Sequence, residues 1–249
     1  MTAEFIADFE AYMPAEFNGK AFGKEGALAV ADQAGIHTCV VFPGDLPPDP
    51  RATNAQLLAQ TRGEARFLPG CLINPTMGTA ACEDLQRCVQ AGARTLKLMA
   101  AAHGYRLNSA CVDPVMEVAA SLDLPATIHS GSPVSGCSPE YIAALAQRHP
   151  DVKIIMDHMG YREWTGLAVQ AAVENANIYL GTTLIAAAEP ISIKNIVRHG
   201  PIGADRIVFG TNSPSGSAVN GVNGIREVEF TDAEAALILG GNLKAIYGL

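Results

Sequence analysis

The chain has 249 residues, 49% of them hydrophobic and 17% charged, with a formal net charge of −8 and no run of lysine or arginine. That size supports a full hydrophobic core, and the composition is that of a folded globule and not of a disordered segment. The acidic balance argues against nucleic acid and anionic membrane as partners, and no uninterrupted apolar stretch approaches the roughly 20 residues of a membrane span.

Short apolar, β-branched runs follow one another along the whole chain. They are FIADFEAY (5–12), TCVVFPG (38–44), RFLPGCLINP (66–75), RTLKLMA (94–100), PATIHSG (125–131), VKIIMDHMG (152–160), NIYLGTT (177–183) and RIVFGTNSP (206–214). Their spacing is close to one βα unit each. Amphipathic stretches lie between them, among them ATNAQLLAQTRG, CEDLQRCVQAG and VDPVMEVAASLDL. Helix starts are marked by Asp113 before Pro114, Ser138 before Pro139, and Thr231 with Glu234 as a capping box. Eight strands alternating with helices predict a single α/β domain over 1–249, a (β/α)8 TIM barrel. No G-x-G-x-x-G follows any strand, which removes a dinucleotide-binding doubly wound sheet. The segment TNSPSGSAVNGVNG (211–224), rich in Gly, Ser and Asn, reads as a mobile loop over the barrel mouth.

The start, MTAEFIADFEAYMP, has acidic residues and neither a basic segment nor a long apolar run, so it does not read as a signal peptide. Six cysteines are scattered without a C-x-x-C or zinc-type pattern and read as reduced thiols of a cytoplasmic protein. Cys137, beside the first histidine motif, reads as a neutral loop thiol.

His129 and His158 each end a strand-like run closed by glycine, one βα unit apart. Paired imidazoles at the carboxyl ends of neighbouring barrel strands are suited to metal binding or to proton transfer. The order HSG, DHMG, GTNSP and then FTDAEAALILGGNLKAIYGL resembles the amidohydrolase superfamily, in its amidohydrolase-2 branch with aminocarboxymuconate-semialdehyde-decarboxylase-like members. The stretch GARTLKLMAAAHGYRLNSACVDPVMEVAASLDLPATIHSG resembles it as well. The likeness covers essentially the whole chain. It implies a barrel of hydrolase, lactonase or decarboxylase type, often with one divalent ion held at the strand ends. Against that pattern, Glu10 stands at the first-strand ligand position and Tyr12 at the second. His129 and His158 are the fifth- and sixth-strand histidines, and Asn212 stands where an aspartate is usual.

Glu10, His129 and His158 would therefore form a two-histidine, one-carboxylate site for one divalent ion, zinc foremost. The alternative is no metal, with the polar groups bonded to one another. Tyr12 is a ligand only if its phenol is unusually acidic, and the neutral Asn212 supplies no charge and no base. Lys97, inside the fourth strand, has two open roles. It pairs with Glu10 in the interior, in competition with a metal, or it contacts a substrate carboxylate. Asp157, next to His158, is turned by strand alternation toward the helix layer. His103, Tyr105 and Arg106 follow the fourth strand, and Tyr161 and Trp164 the sixth. Both groups are expected to line a substrate pocket at the mouth. His37, His149 and His199 fall at helix ends and receive no catalytic role.

Three functions follow. The first is hydrolysis of a small cyclic or aromatic carboxylate-bearing substrate, with His158 as general acid/base, His129 positioning a metal-bound water or polarising the substrate directly, and Lys97 with arginines holding the anion. The second is a metal-independent lyase or decarboxylase, isomerase or cyclase, in which His129, His158 and Tyr12 transfer protons and Asn212 orients the substrate. The third is an inactive barrel kept as a binding or assembly subunit. A homodimer is expected by analogy alone.

Overall fold

The computed structural model describes residues 4–131, 134 and 136–249; the first three residues of the acidic start lie outside them. All eight apolar runs form parallel strands: β1 Ala7–Met13, β2 Thr38–Pro43, β3 Phe67–Ile73, β4 Thr95–Leu98, β5 Ala126–Ile128, β6 Ile154–Met156, β7 Ile178–Gly181 and β8 Ile207–Val208. They pair in chain order in one eight-stranded sheet. The Phe9 N–H donates to Phe209 O at 3.0 Å and the Tyr12 N–H to Ser213 O at 2.7 Å, bringing β1 against the segment after β8. The result is a (β/α)8 barrel. Among the described residues, no helix is long and apolar enough to cross a membrane, and all six cysteines are free.

Alternation sorts the strand residues into two cores. Leu96, Leu98, Ala126, Ile128, Ile154 and Met156 face outward and pack against the helices. Phe9, Val40, Phe42, Leu68, Ile155 and Val208 fill the barrel, with Leu243, Ile246 and Tyr247 of the C-terminal helix packed among them. Phe9 is among the largest interior side chains, and two glycines make room for it. A Cβ at Gly181 or at Gly210 would lie 2.3 Å from its ring. Gly181→Ala is expected to cost about 1–3 kcal/mol through overpacking, read as a lower urea midpoint. An unchanged midpoint would show that the ring can move aside.

One strand breaks the alternation. Asp8 pairs with Cys39 and Ala11 with Val41, so β1 carries an extra residue, a bulge, between them. Phe9 can thus fill the barrel while Glu10, its immediate neighbour, also reaches the interior contacts described below. Asp8 holds the bulge. Its Oδ1 accepts the Glu10 N–H at 2.8 Å and the Thr211 N–H at 3.1 Å, and its Oδ2 accepts the Thr211 hydroxyl at 2.5 Å. Burial pushes the Asp8 carboxyl up to about 7, against the lowering effect of these bonds. A carboxyl raised in the folded state stabilises fully below the ordinary aspartate range and ceases to do so as pH rises toward 7. Unfolding free energy should therefore fall between pH 5 and pH 8 by on the order of 2–4 kcal/mol. Asp8→Asn should remove most of that slope; an equal slope in both proteins would assign it elsewhere.

The segment 211–224 is not all loop. Residues Ala218–Glu227 form a helix, with the Ser217 side chain accepting the Asn220 N–H. Its glycines serve packing: a Cβ at Gly224 would lie 1.9 Å from Ala186 O, and one at Gly221 3.3 Å from the Phe209 ring. Thr231 and Glu234 form the expected capping box. Asp113 does not cap its helix; its carboxylate takes His149 Nε2 at 2.8 Å and Arg148 Nε at 2.9 Å.

Candidate active site

Lys97, Thr127 and Ile155 sit between outward-facing neighbours on β4, β5 and β6, so the same parity carries His129 and Asp157 toward the barrel axis. This corrects the expectation that Asp157 turns to the helix layer. His158, by alternation, is the residue that should turn away. It is recovered because β6 stops at Met156 and the backbone turns left-handed over His158 (φ 55), Met159 (φ 38), Gly160 (φ 80), Tyr161 (φ 30) and Arg162 (φ 57). Such conformations cost free energy and persist where surrounding structure enforces them, commonly at functional sites.

The site has two layers. The lower one is fully buried: Lys97, Glu10 and Asp157 have no exposed side-chain surface. Lys97 Nζ donates to Glu10 Oε1 and, at 3.2 Å, to Asp157 Oδ2. It also lies over the rings of Tyr12 and Phe42, 5.2 and 5.0 Å from their centroids. Glu10 Oε1 accepts the Tyr12 hydroxyl at 2.7 Å, and Oε2 accepts the Thr183 hydroxyl at 2.8 Å. The upper layer is the two imidazoles, 19% and 10% exposed at His129 and His158, with ring centroids 5.0 Å apart and planes at 84°. Asp157 Oδ2 joins the layers, 3.2 Å from His158 Nε2 and 3.6 Å from His129 Nδ1.

One ammonium faces two carboxylates, leaving one negative charge to be balanced. Burial pushes the Glu10 carboxyl up, with Asp157 adding to the effect and Lys97 opposing it. For Asp157 burial acts upward too, but the charges of His158 and Lys97 prevail and hold it well below the usual carboxylate range. Burial would lower Lys97; Asp157 and Glu10 instead hold it well above the ordinary ammonium range. Tyr12 is raised by burial and by Glu10, so it is a neutral phenol donating to Glu10 and not a phenolate ligand.

His158 Nδ1 lies 3.3 Å from Thr183 O, and Nε2 faces Asp157. Both nitrogens face acceptors, which fix the orientation of the ring.

The ligand set Glu10–His129–His158 does not come together, because both Glu10 oxygens are taken by Lys97, Tyr12 and Thr183. The cluster that does converge is His129, Asp157 and His158, whose ligand atoms lie within 4.8 Å of one another. Among the described residues, His129 Nδ1 and Asp157 Oδ1 are buried without a hydrogen-bond partner. Two orphaned donors in a mixed nitrogen–oxygen set fit a divalent ion.

The other expected residues are spread around the mouth. Tyr161 stands beside His158, ring centroids 6.3 Å apart, with the Arg162 guanidinium 5.2 Å from its own centroid. Trp164 is half-buried in the following turn. His103 Nε2 meets Pro47 O at 3.1 Å. Tyr105 is buried and Arg106 exposed, both lining a cavity of about 500 Å³ with Ala100, Ala101, Gly104 and Ser109. Among the described residues, no hydrogen bond or ion pair joins His103, Tyr105 or Arg106 to either imidazole. Asn212 adopts φ 59, a left-handed position that asparagine tolerates, and its N–H donates to Glu10 O at 2.9 Å. Burial raises the Cys137 thiol to about 11, as expected of an unreactive thiol. Thr183, which ties Glu10 and the His158 ring to the end of β7, was not singled out by sequence; a second threonine after a strand carries no distinctive signal.

A sequence model of a family described as amidohydrolase matches residues 19–249. No curated protein matches significantly. Among solved structures, 2,6-dihydroxybenzoate decarboxylase from Rhizobium superposes with TM-score 0.76 at 16% identity, covering 98% of this chain and 99% of that one. For 5-carboxyvanillate decarboxylase from Sphingomonas paucimobilis the values are 0.76, 13%, 99% and 100%. For a dihydroxybenzoic acid decarboxylase from Polaromonas sp. JS666, with bound manganese and the inhibitor 2-nitroresorcinol, they are 0.75, 16%, 99% and 97%. At these identities the likeness speaks to the fold.

Proposed function

The chain belongs to the amidohydrolase family, and on that premise we propose that it is a lyase removing carbon dioxide from a small aromatic acid. The carrying observation is the pair of partly exposed imidazoles, His129 and His158, that share the buried Asp157 carboxylate at the barrel mouth. An imidazole backed by a carboxylate and open to the mouth is suited to general acid catalysis, and His158 is the closer of the two to Asp157. It would deliver a proton to the ring carbon that bears the substrate carboxylate. The bond from that carbon to the carboxylate then breaks, carbon dioxide leaves, and the electron pair returns to the ring. Asp157 keeps the imidazole oriented and stabilises its charge, and His129, 5.0 Å away, faces the same space. Lys97 is sealed under this layer, so it supports Asp157 rather than holding the substrate anion. Solved neighbours that act on dihydroxybenzoate and carboxyvanillate support this reading over hydrolysis, and Asn212 offers no carboxylate to activate a water.

The orphaned atoms on His129 and Asp157 favour a second reading, in which those two and His158 hold a divalent ion, manganese as in a neighbour or zinc. Such an ion would supply Lewis acidity toward substrate oxygens. A panel of benzoates hydroxylated beside the carboxylate tests the reaction, with carbon dioxide release and deuterium entry from heavy water as readouts. Hydrolysis of simple esters or lactones without decarboxylation of any acid would overturn it. Elemental analysis of protein purified without chelator or added metal separates the metal-free reading from the metal-bound one.

A further inference from the structure

We propose that Lys97 is the resident cation of this site and controls whether a divalent ion can enter it. Its ammonium sits on Glu10 Oε1 and Asp157 Oδ2, the latter at 3.2 Å, under the Tyr12 and Phe42 rings and fully out of water. β4 fixes it there, because Leu96 and Leu98 on either side are locked into the helix-facing core. Glu10 is the carboxylate that the first-strand position would offer a metal, and it is spent: Lys97 and Tyr12 take one oxygen, Thr183 the other. Asp157 remains the one carboxylate within reach of both imidazoles, and the ammonium shares its Oδ2. An ion bound to Asp157, His129 and His158 would therefore sit a few ångströms from a fixed positive charge in a region of low dielectric, where repulsion is only weakly screened. The tethered lysine supplies the charge balance that a metal would otherwise give, and it competes with one. This inference concerns the site's cation and stands apart from the reaction proposed above.

The test is calorimetric titration of the purified chain with manganese and with zinc, comparing wild type, Lys97→Met and Lys97→Met/Glu10→Gln. Methionine keeps most of the side-chain length and removes the charge. Both variants are expected to bind at least about tenfold more tightly than wild type. Lys97→Met leaves Glu10 and Asp157 buried without the ammonium they share, and folding of that variant only when metal is present would support the proposal equally. The double variant leaves Asp157 alone beneath the imidazoles, so it measures metal affinity free of that folding burden. Equal affinity in wild type and double variant, or weaker binding in the double variant, would overturn the proposal.

Discussion

Replacement of His158 by glutamine should lower kcat/KM on the best acid of the benzoate panel by about 10²–10⁴-fold, the range that general acid catalysis supplies. Glutamine can still donate a hydrogen bond toward Thr183 O or Asp157 Oδ2, so the ring's neighbours keep a polar partner and the variant should fold. What it cannot do is release and recover a proton. The loss should fall mainly on kcat, because in the proposed reaction the imidazole acts on the reacting carbon and does not hold the carboxylate. Steady-state kinetics with a circular-dichroism control decides this; a variant within threefold of wild type would remove His158 from the mechanism. His129→Gln, measured alongside, tells whether the second imidazole shares the proton or only shapes the space.

The largest stability effect is expected from the buried pair beneath. Glu10→Gln or Lys97→Met alone leaves an uncompensated charge in a region with no exposed surface. Removing one partner of such a pair costs about 3–5 kcal/mol, which for a chain of this length lowers Tm by about 6–20 °C. The double variant Lys97→Met/Glu10→Gln should recover most of that, since no uncompensated ammonium remains and Asp157 keeps His158. Thermal unfolding in metal-free buffer reads all four proteins. Additive losses would mean that the two side chains are not coupled and that their contact contributes nothing of its own.

The barrel was legible because its signal is local and repeated. Each strand is a run of residues that bury well on a pleated surface, and the spacing between runs leaves room for one helix. His129 was legible for the same reason, as an inward parity position at the end of β5. His158 was placed in the site correctly, but Asp157 was misread as turned away, since alternation holds only while the strand lasts and β6 ends at Met156. The five left-handed residues that follow belong to no periodic pattern. The helix Ala218–Glu227 was missed because its composition favours a loop, whereas its glycines allow close packing against Ala186 and Phe209.

The sequence by itself determined the eightfold βα pattern, the family and the presence of two strand-end imidazoles. Those are properties of side-chain type and spacing along one chain. Only the tertiary structure decided which carboxylate meets the imidazoles. A bulge in β1 lets Glu10 reach inward to Lys97, 87 residues away, strand parity turns Asp157 inward, and the turn after β6 brings His158 onto it. Each carboxylate in the barrel can pair with several partners. Burial makes that choice, because an uncompensated charge out of water costs more than any local preference can return.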